Sequence, residues 1–402
     1  MKIGIYEGSI PPPVFINNLL QGLANNGNNV FLYGRKKNKL FSYNTKKIIQ
    51  RLTKREKIGS IFYLFYNIFY LFFSQNFHSS SFLLKEIVKR SNGYKSFVIR
   101  CNRVLPVFLD DLDVFHIQWA KDLVAYPEFI KYLKCPIILS FRGAHINYSP
   151  LLDKELSKQY RRYFPQVNMF HAVSKTISKE GQKYCAEPKN IKVIYPAVKS
   201  EIIKDDFLPQ DFNNTNTIKI ISIGRCHWKK GYMYALDTMK LLKNKNIDFH
   251  YTIVAMGKNY DMILYQIKDL GLENYVTFIN GLDHKSTINI LKKSDLYLLP
   301  SVEEGISNTV LESMAVGTMV LTTNCGGMSE VIENNKNGMI VNSREPKEMF
   351  TKILLFSKMN LNDKNKILIN AKQTIEENFL MPNQISQMNK LYEVAIERKN
   401  TN

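Results

Sequence analysis

Short apolar runs alternate with amphipathic stretches along this chain, and the alternation predicts an α/β architecture. IGIY (3–6) reads as a buried strand ending at Glu7-Gly8-Ser9. Phe15 to Asn25 follows with Leu19, Leu20 and Leu23 on one helical face, and after the turn Asn26-Gly27-Asn28 comes a second strand, VFLY (30–33). Strand, helix and strand at this spacing make a βαβ unit, and the crossover forces the two strands to run parallel. DVFHIQ (113–118), PIILSF (136–141), MFHAVS (169–174) and KVIYPAV (192–198) extend the first half. A second series runs through IKIISIG (218–224), FHYTIVAMG (249–257), VTFIN (276–280), DLYLLP (295–300) and MVLTT (319–323). Between the two series lies a polar, aperiodic stretch, KSEIIKDDFLPQDFNNTNT (199–217), which has the character of a linker. The predicted organisation is a first domain over 1–198, a linker over 199–217 and a second domain over 218–382. An amphipathic helix over 383–402, after Pro382, is expected to return to the first domain. At 402 residues the chain is long for one core, which agrees with two.

One stretch departs from the alternation. A basic segment, KKIIQRLTKREK (46–57), runs into IFYLFYNIFYLFF (61–73), thirteen residues interrupted in their apolar character by Asn67. The run is too short to cross a bilayer. A buried helix, a wedge lying in a membrane interface beside its lysines, and a contact for a partner protein all remain open, the tyrosines suiting an interfacial position.

Charge sharpens the picture. The formal net charge is +20, and residues 1–100 hold sixteen Lys and Arg against Glu7, Glu56 and Glu86, which is thirteen of the excess. Such a field favours an anionic partner: a nucleic acid, an acidic lipid surface or a phosphorylated substrate. The five cysteines are scattered without C-x-x-C spacing, which argues for reduced thiols and against a zinc or disulfide framework. The N-terminus has no secretory-signal pattern. The expected location is therefore cytoplasmic, with peripheral attachment to the inner face of the membrane as an extension of the basic field.

Chemistry concentrates in the second half. In PSVEEGISNTVLESMAVG (300–317), Pro300 and Gly305 stop a strand, and Ser307 or Asn308 caps a helix starting near Thr309. The free N–H groups of that first turn suit a phosphate, and Glu304 and Glu312 approach from two elements, as carboxylates that clasp sugar hydroxyls would. NCGGMSEVIE (324–333) reads as a second backbone approach to a ligand, with Glu330 opening another helix. GRCHWKKG (224–231) supplies Gly224 at a strand end, then Arg225 and Lys230, a guanidinium and an ammonium within reach of a diphosphate. It is not a P-loop. In the first half, His116, Gln118, Arg142, His145 and Ser174 fall at strand ends, where open parallel sheets bind ligands. None of the histidines has zinc spacing, and no metal ligand set is predicted.

Taken in order, these pieces resemble the family 4 retaining glycosyltransferases of bacterial surface-polysaccharide type. EGISNTVLE (304–312) matches the E-x7-E motif, GRCHWKKG the Arg–Lys diphosphate motif, and NCGGMSEVI (324–332), FHIQW (115–119), LSFRGAH (139–145), AVSKT (172–176) and VIYPAV (193–198) also fit. The resemblance implies the GT-B fold, two Rossmann-like domains whose parallel sheets face across a central cleft, the first binding acceptor and the second donor. It implies transfer with retention from a UDP-sugar or GDP-sugar to a glycan or lipid-linked glycan, without an obligatory metal or other cofactor and without nucleic acid as partner. Arg225, Lys230 and Glu304 would act on the diphosphate and transferred sugar. Gly224, Gly305, Ile306, Ser307, Asn308, Thr309 and Glu312 would hold the donor, Glu312 at the ribose. His116, Arg142, His145 and Ser174 would line the acceptor side. The chain departs from the family at Ser9-Ile10-Pro11-Pro12-Pro13, where a glycine-rich loop is common, and at Arg142-Gly143, where a His-Gly pair is common. A nucleotide-sugar epimerase of the same architecture and a non-catalytic basic binding module stay open as alternatives. A glycoside hydrolase would have no use for the diphosphate cations.

Overall fold

The structure, a computed structural model, describes residues 1–36, 43, 45, 47–53, 57–74, 77–184, 187, 190–203, 217–258 and 260–401. Cys185 and residues 204–216 of the expected linker lie outside the described residues. Two compact units emerge, one of Met1–Ile194 with Gln384–Asn402, the other of Tyr195–Asn383.

The first unit is built on a seven-stranded sheet of β1 (Lys2–Ile10), β2 (Asn29–Lys36), β3 (Ile48–Thr53), β4 (Val114–Ile117), β5 (Ile137–Phe141), β6 (Met169–Ala172) and β7 (Ile191–Val193). Its order is β3-β2-β1-β4-β5-β6-β7, every pairing parallel. β1 is longer than its apolar run suggested: its register shifts between Tyr6 and Gly8, and it continues to Ile10 beside Lys36. The helix after it, Val14–Asn25, buries Leu19, Leu20 and Leu23 as its periodicity requires.

The second unit repeats the plan with six strands: β8 (Ile218–Arg225), β9 (Phe249–Met256), β10 (Val276–Ile279), β11 (Leu296–Leu299), β12 (Met319–Thr323) and β13 (Met339–Val341), ordered β10-β9-β8-β11-β12-β13 and parallel. β11 shows why its sequence is uniformly apolar. Leu296 and Leu298 enter one core while Tyr297 and Leu299 enter the core on the opposite face, so alternation serves two apolar layers. In each sheet the strand order reverses between the first strand and the fourth, and ligands of open α/β sheets gather outside the strand ends at that point.

The last helix, Met381–Asn400, starts one residue ahead of Pro382. Proline is tolerated in a first turn because the missing N–H has no intrahelical acceptor there. Ile385, Met388, Leu391, Tyr392 and Ala395 form its buried face, and Arg398 donates to Asn190 at 2.9 Å.

Candidate functional site

Arg225, Lys230 and Glu304, singled out above, come from the elements that meet at the reversal point of the second sheet, and Glu312 lies one turn into the helix that follows. β8 delivers Gly224 and Arg225, and β11 ends at Leu299, just ahead of Pro300 and the Glu304 loop. Two backbone ties hold that loop: Val302 N–H donates to Lys229 O at 2.7 Å, and Thr323 Oγ1 donates to Ser301 O at 2.5 Å. A third comes from the Gly326-Gly327 pair. Gly326 has φ +55, and a Cβ there would lie 1.6 Å from the carbonyl oxygen of Glu304; Gly327 N–H donates to Gly305 O at 2.7 Å. The glycine pair therefore presses on the Glu304 loop, where the sequence suggested that it approaches a ligand. Nor does a full helix follow it. A single 3-10 turn, Met328–Glu330, forms, and Glu330 accepts a hydrogen bond from Tyr195 at 3.1 Å; burial, then the Glu330 charge and this bond, raise the Tyr195 hydroxyl to about 12.

Glu304 is buried and accepts from Lys230 Nζ at 2.5 Å and from Ser301 Oγ at 3.1 Å. Burial alone would push its carboxyl upward. The charges of Lys230 and Lys229 and the bonds from Lys230 and Ser301 outweigh it, so the carboxyl titrates below its ordinary value. Lys230 reaches Glu304 across Gly224, where an added Cβ would stand 3.0 Å from the lysine Cε and 2.8 Å from the Tyr232 hydroxyl. Glycine at 224 is thus a spatial requirement of the lysine's path. Lys229 is buried beside the pair, and desolvation lowers its ammonium despite Glu304. Arg225 is exposed, and no described residue forms an ion pair with it.

The helix after the loop spans Asn308–Val316, starting one residue before the expected Thr309, and of the two expected caps it is Ser307 that takes the N-cap position. The Ser307 side chain makes no capping bond. The N–H groups of the first turn have no intrahelical acceptor, as at every helix start. Gly305, Ile306 and Ser307 are buried, Asn308 and Thr309 half-buried, and the Asn308 side-chain oxygen has no partner among the described residues. Glu312 does not join the Lys230–Glu304 pair. It accepts from His284 Nε2 at 2.8 Å, a bond that raises the imidazole above its ordinary value against a smaller desolvation penalty. His284 escaped sequence reading because DHKS reads as an ordinary polar helix start.

In the first unit the strand-end residues divide into two groups. Arg142 donates to Gln118 Oε1 at 2.8 Å and lies over the Phe15 ring at 5.1 Å. Burial lowers its guanidinium to about 10 even with Glu7 nearby. The His145 ring packs tilted against Trp119, their centroids 5.1 Å apart, and the Trp119 indole N–H donates to Glu7 at 2.8 Å. These residues assemble at the ends of β1, β4 and β5. Asp122 was missed by sequence reading: its carboxylate faces Gly8, where a Cβ would lie 3.3 Å from Oδ2, and burial pushes it up to about 7 against the pull of Arg103.

His116 and Ser174, expected to line a ligand site, are interior residues instead. Ser174 is fully buried and caps the Lys175–Gln182 helix by accepting from Ile177 N–H at 3.1 Å. His116 belongs to a proton-ordered chain. His171 Nε2 must donate to Ile194 O at 2.9 Å, so Ser140 donates to His171 Nδ1 at 2.8 Å. His116 Nε2 then donates to Ser140 at 2.8 Å, and its Nδ1 accepts from the Tyr392 hydroxyl at 2.9 Å. Each imidazole is satisfied in one neutral tautomer.

Desolvation depresses both, His171 to about 3. Unfolded imidazoles take up protons near pH ~6.5, whereas the folded pair resists. The first unit should therefore lose stability progressively as pH falls from ~6.5 toward the folded values. Urea midpoints measured across that window should drop. A His171→Gln protein, weaker at neutral pH but lacking one titrating group, should show a shallower decline. A flat wild-type profile would contradict this account.

Among the described residues, no group of three or more His, Cys, Asp and Glu is placed to hold a metal ion.

Residues 203–374, which contain Arg225, Lys230, Glu304 and Glu312, match the family described as glycosyl transferases group 1. The amylovoran biosynthesis glycosyltransferase of Erwinia amylovora is 26% identical over 284 residues, spanning 68% of this chain and 67% of that protein. A glycosyltransferase structure from Rickettsia africae superposes with a TM-score of 0.70 at 18% identity, covering 98% of both chains. The HepE protein of Anabaena, solved in complex with UDP-glucose, superposes with a TM-score of 0.70 at 16% identity, covering 98% of this chain and 100% of that one.

Proposed function

We propose that this chain is a glycosyltransferase of the family 4 type with the GT-B fold, that its second unit binds a nucleoside-diphosphate sugar and that the enzyme transfers the sugar with retention. Residues 218–382 form the donor-binding domain and 1–198 the acceptor-binding domain. Lys230 and Arg225 hold the diphosphate together with the amides of Ser307, Asn308 and Thr309. Glu312 takes the ribose diol, and Glu304 the hydroxyls of the transferred sugar, with Gly224, Gly305 and Ile306 shaping the floor. As the glycosidic bond to the donor breaks, charge grows on the departing diphosphate. A fixed ammonium and a helix N-terminus stabilise that charge without reorganising. Arg142 and His145 contact the acceptor.

The observation that carries this reading is the Lys230–Glu304 pair at the reversal point of the second sheet. An acid and a base already held together there need only open by a ligand's width to receive sugar hydroxyls on one side and phosphate oxygens on the other. The amylovoran biosynthesis relative supports a role in polysaccharide biosynthesis, and the acceptor in this reading is a glycan or lipid-linked glycan. The Anabaena complex supports UDP-glucose as the first donor to try.

Titration calorimetry against a panel of UDP- and GDP-sugars should identify one that binds, and Glu312→Ala should raise its Kd or KM by about 10- to 100-fold with a smaller change in kcat. NMR of the product should show the donor's anomeric configuration kept. Absence of binding by every nucleotide sugar, or a Glu312→Ala protein indistinguishable from wild type, would refute the assignment. Conversion of the donor without any acceptor requirement would favour an epimerase.

A further inference from the structure

The Lys57–Ser74 helix carries six aromatic side chains on one exposed side. Phe62 is 72% exposed, Phe65 65%, Tyr66 58%, Phe69 64%, Tyr70 46% and Phe73 76%. Their spacing of three and four residues lines them up as a single stripe along the helix. On the opposite side Leu64, Asn67 and Leu71 are buried, the two leucines in the core of the first unit. Water-exposed proteins seldom leave so continuous an apolar strip uncovered unless something docks on it.

We infer that this stripe is a membrane-docking surface, which seats the helix flat on a bilayer containing anionic lipid. Three observations select that occupant. The helix cannot stand upright in a membrane, because one whole side is committed to the core, and among the described residues no helix is long and apolar enough to cross. The surrounding charge matches an anionic surface. Residues 57–109 contain seven Lys and Arg against a single acid, Glu86, and Glu86 is already bridged by Arg90 and Lys131. The next helix, Phe77–Lys89, continues the pattern, with Phe82 48% exposed beneath the Lys85 ammonium at 5.8 Å. Beside it Lys89, Arg90, Lys131 and Arg162 line a groove of about 300 Å³, whose two acids, Glu86 and Glu128, are already ion-paired with Arg90, Lys131 and Arg100. Finally, a second copy of the chain would bring an equally basic surface against this one, which like-charge repulsion opposes. Phe and Tyr rings flanked by cations suit the boundary between headgroups and acyl chains.

The inference is independent of the donor assignment, and its test keeps the two apart. The full-length protein is floated with phosphatidylcholine vesicles, with or without phosphatidylglycerol, at low and high salt. Binding to the anionic vesicles is expected, weakening as salt rises. The triple variant Phe65→Ser, Phe69→Ser, Phe73→Ser, altered only at exposed positions, should partition at least about tenfold more weakly. Its nucleotide-sugar affinity should match that of the wild type. The inference is overturned if wild type ignores anionic vesicles at low salt, or if the triple variant binds them equally well. Sedimentation revealing a dimer that the triple variant dissolves would instead assign the stripe to a second copy.

Discussion

Lys230→Ala should lower kcat by roughly 10²- to 10³-fold, the cost of removing one preorganised charge from a developing oxyanion. The same substitution strands Glu304, buried and stripped of its closest cation, with only Lys229 and Ser301 nearby. Breaking a buried pair by deleting one partner costs about 3–5 kcal/mol, so the second unit should also melt earlier. These two effects can be separated. Adding Glu304→Gln removes the uncompensated charge and should recover much of the stability, while activity stays at the floor set by the missing ammonium. Thermal denaturation and steady-state kinetics on the two single variants and the double variant complete the cycle. Unchanged kcat and KM in Lys230→Ala would remove this lysine from the chemistry. Lys230→Arg should rescue poorly, since the side chain passes closely over Gly224 and the broader guanidinium has no room to follow.

Gly326→Ala should be the most disruptive single methyl group in the second unit. Its φ of +55 is strained for any residue with a Cβ, a penalty of about 1 kcal/mol. The larger part comes from the neighbour: the new Cβ would fall 1.6 Å from the Glu304 carbonyl oxygen, which is backbone and cannot rotate away. Either the 324–327 turn or the Glu304 loop must move, at a total cost of about 4 kcal/mol or more. For a unit of this size each kcal/mol corresponds to about 2–4 °C, so the melting temperature should fall by about 10 °C. Since the loop carries Glu304, donor affinity should suffer in whatever fraction stays folded. Gly27→Ala, also at positive φ but with nothing within 4 Å of its Cβ, serves as the control for backbone strain alone. Comparable losses in both variants would mean that contact with Glu304 is not what Gly326 provides.

The contrast between these two glycines shows where sequence reading reaches its limit. Gly326-Gly327 was legible as a place of close backbone approach, because glycine is the one residue that permits it. What approaches was not legible: the partner is the Glu304 loop, 22 residues earlier in the chain, brought alongside because β11 and β12 are neighbours. His116 fell at a strand end as predicted, yet strand-end position did not reveal that Tyr392, from the last helix, would satisfy its ring from the far end of the chain. The aromatic run at 61–73 was equally ambiguous, since the periodicity of a buried helix and of an interfacial one is the same until the neighbours are known.

By itself the sequence determined the two parallel α/β units, the strand end, loop and helix that carry Gly224, Arg225, Lys230, Glu304 and Glu312, and a resemblance to a glycosyltransferase family. Hydrophobic period, turn residues and motif spacing are local properties, and they survive in one dimension. Only the tertiary structure decided that Lys230 spans Gly224 to neutralise Glu304, that Glu312 pairs with His284 rather than with those cations, and that six aromatic rings face outward. Burial and charge pairing depend on which distant segments become neighbours, and sheet order sets that.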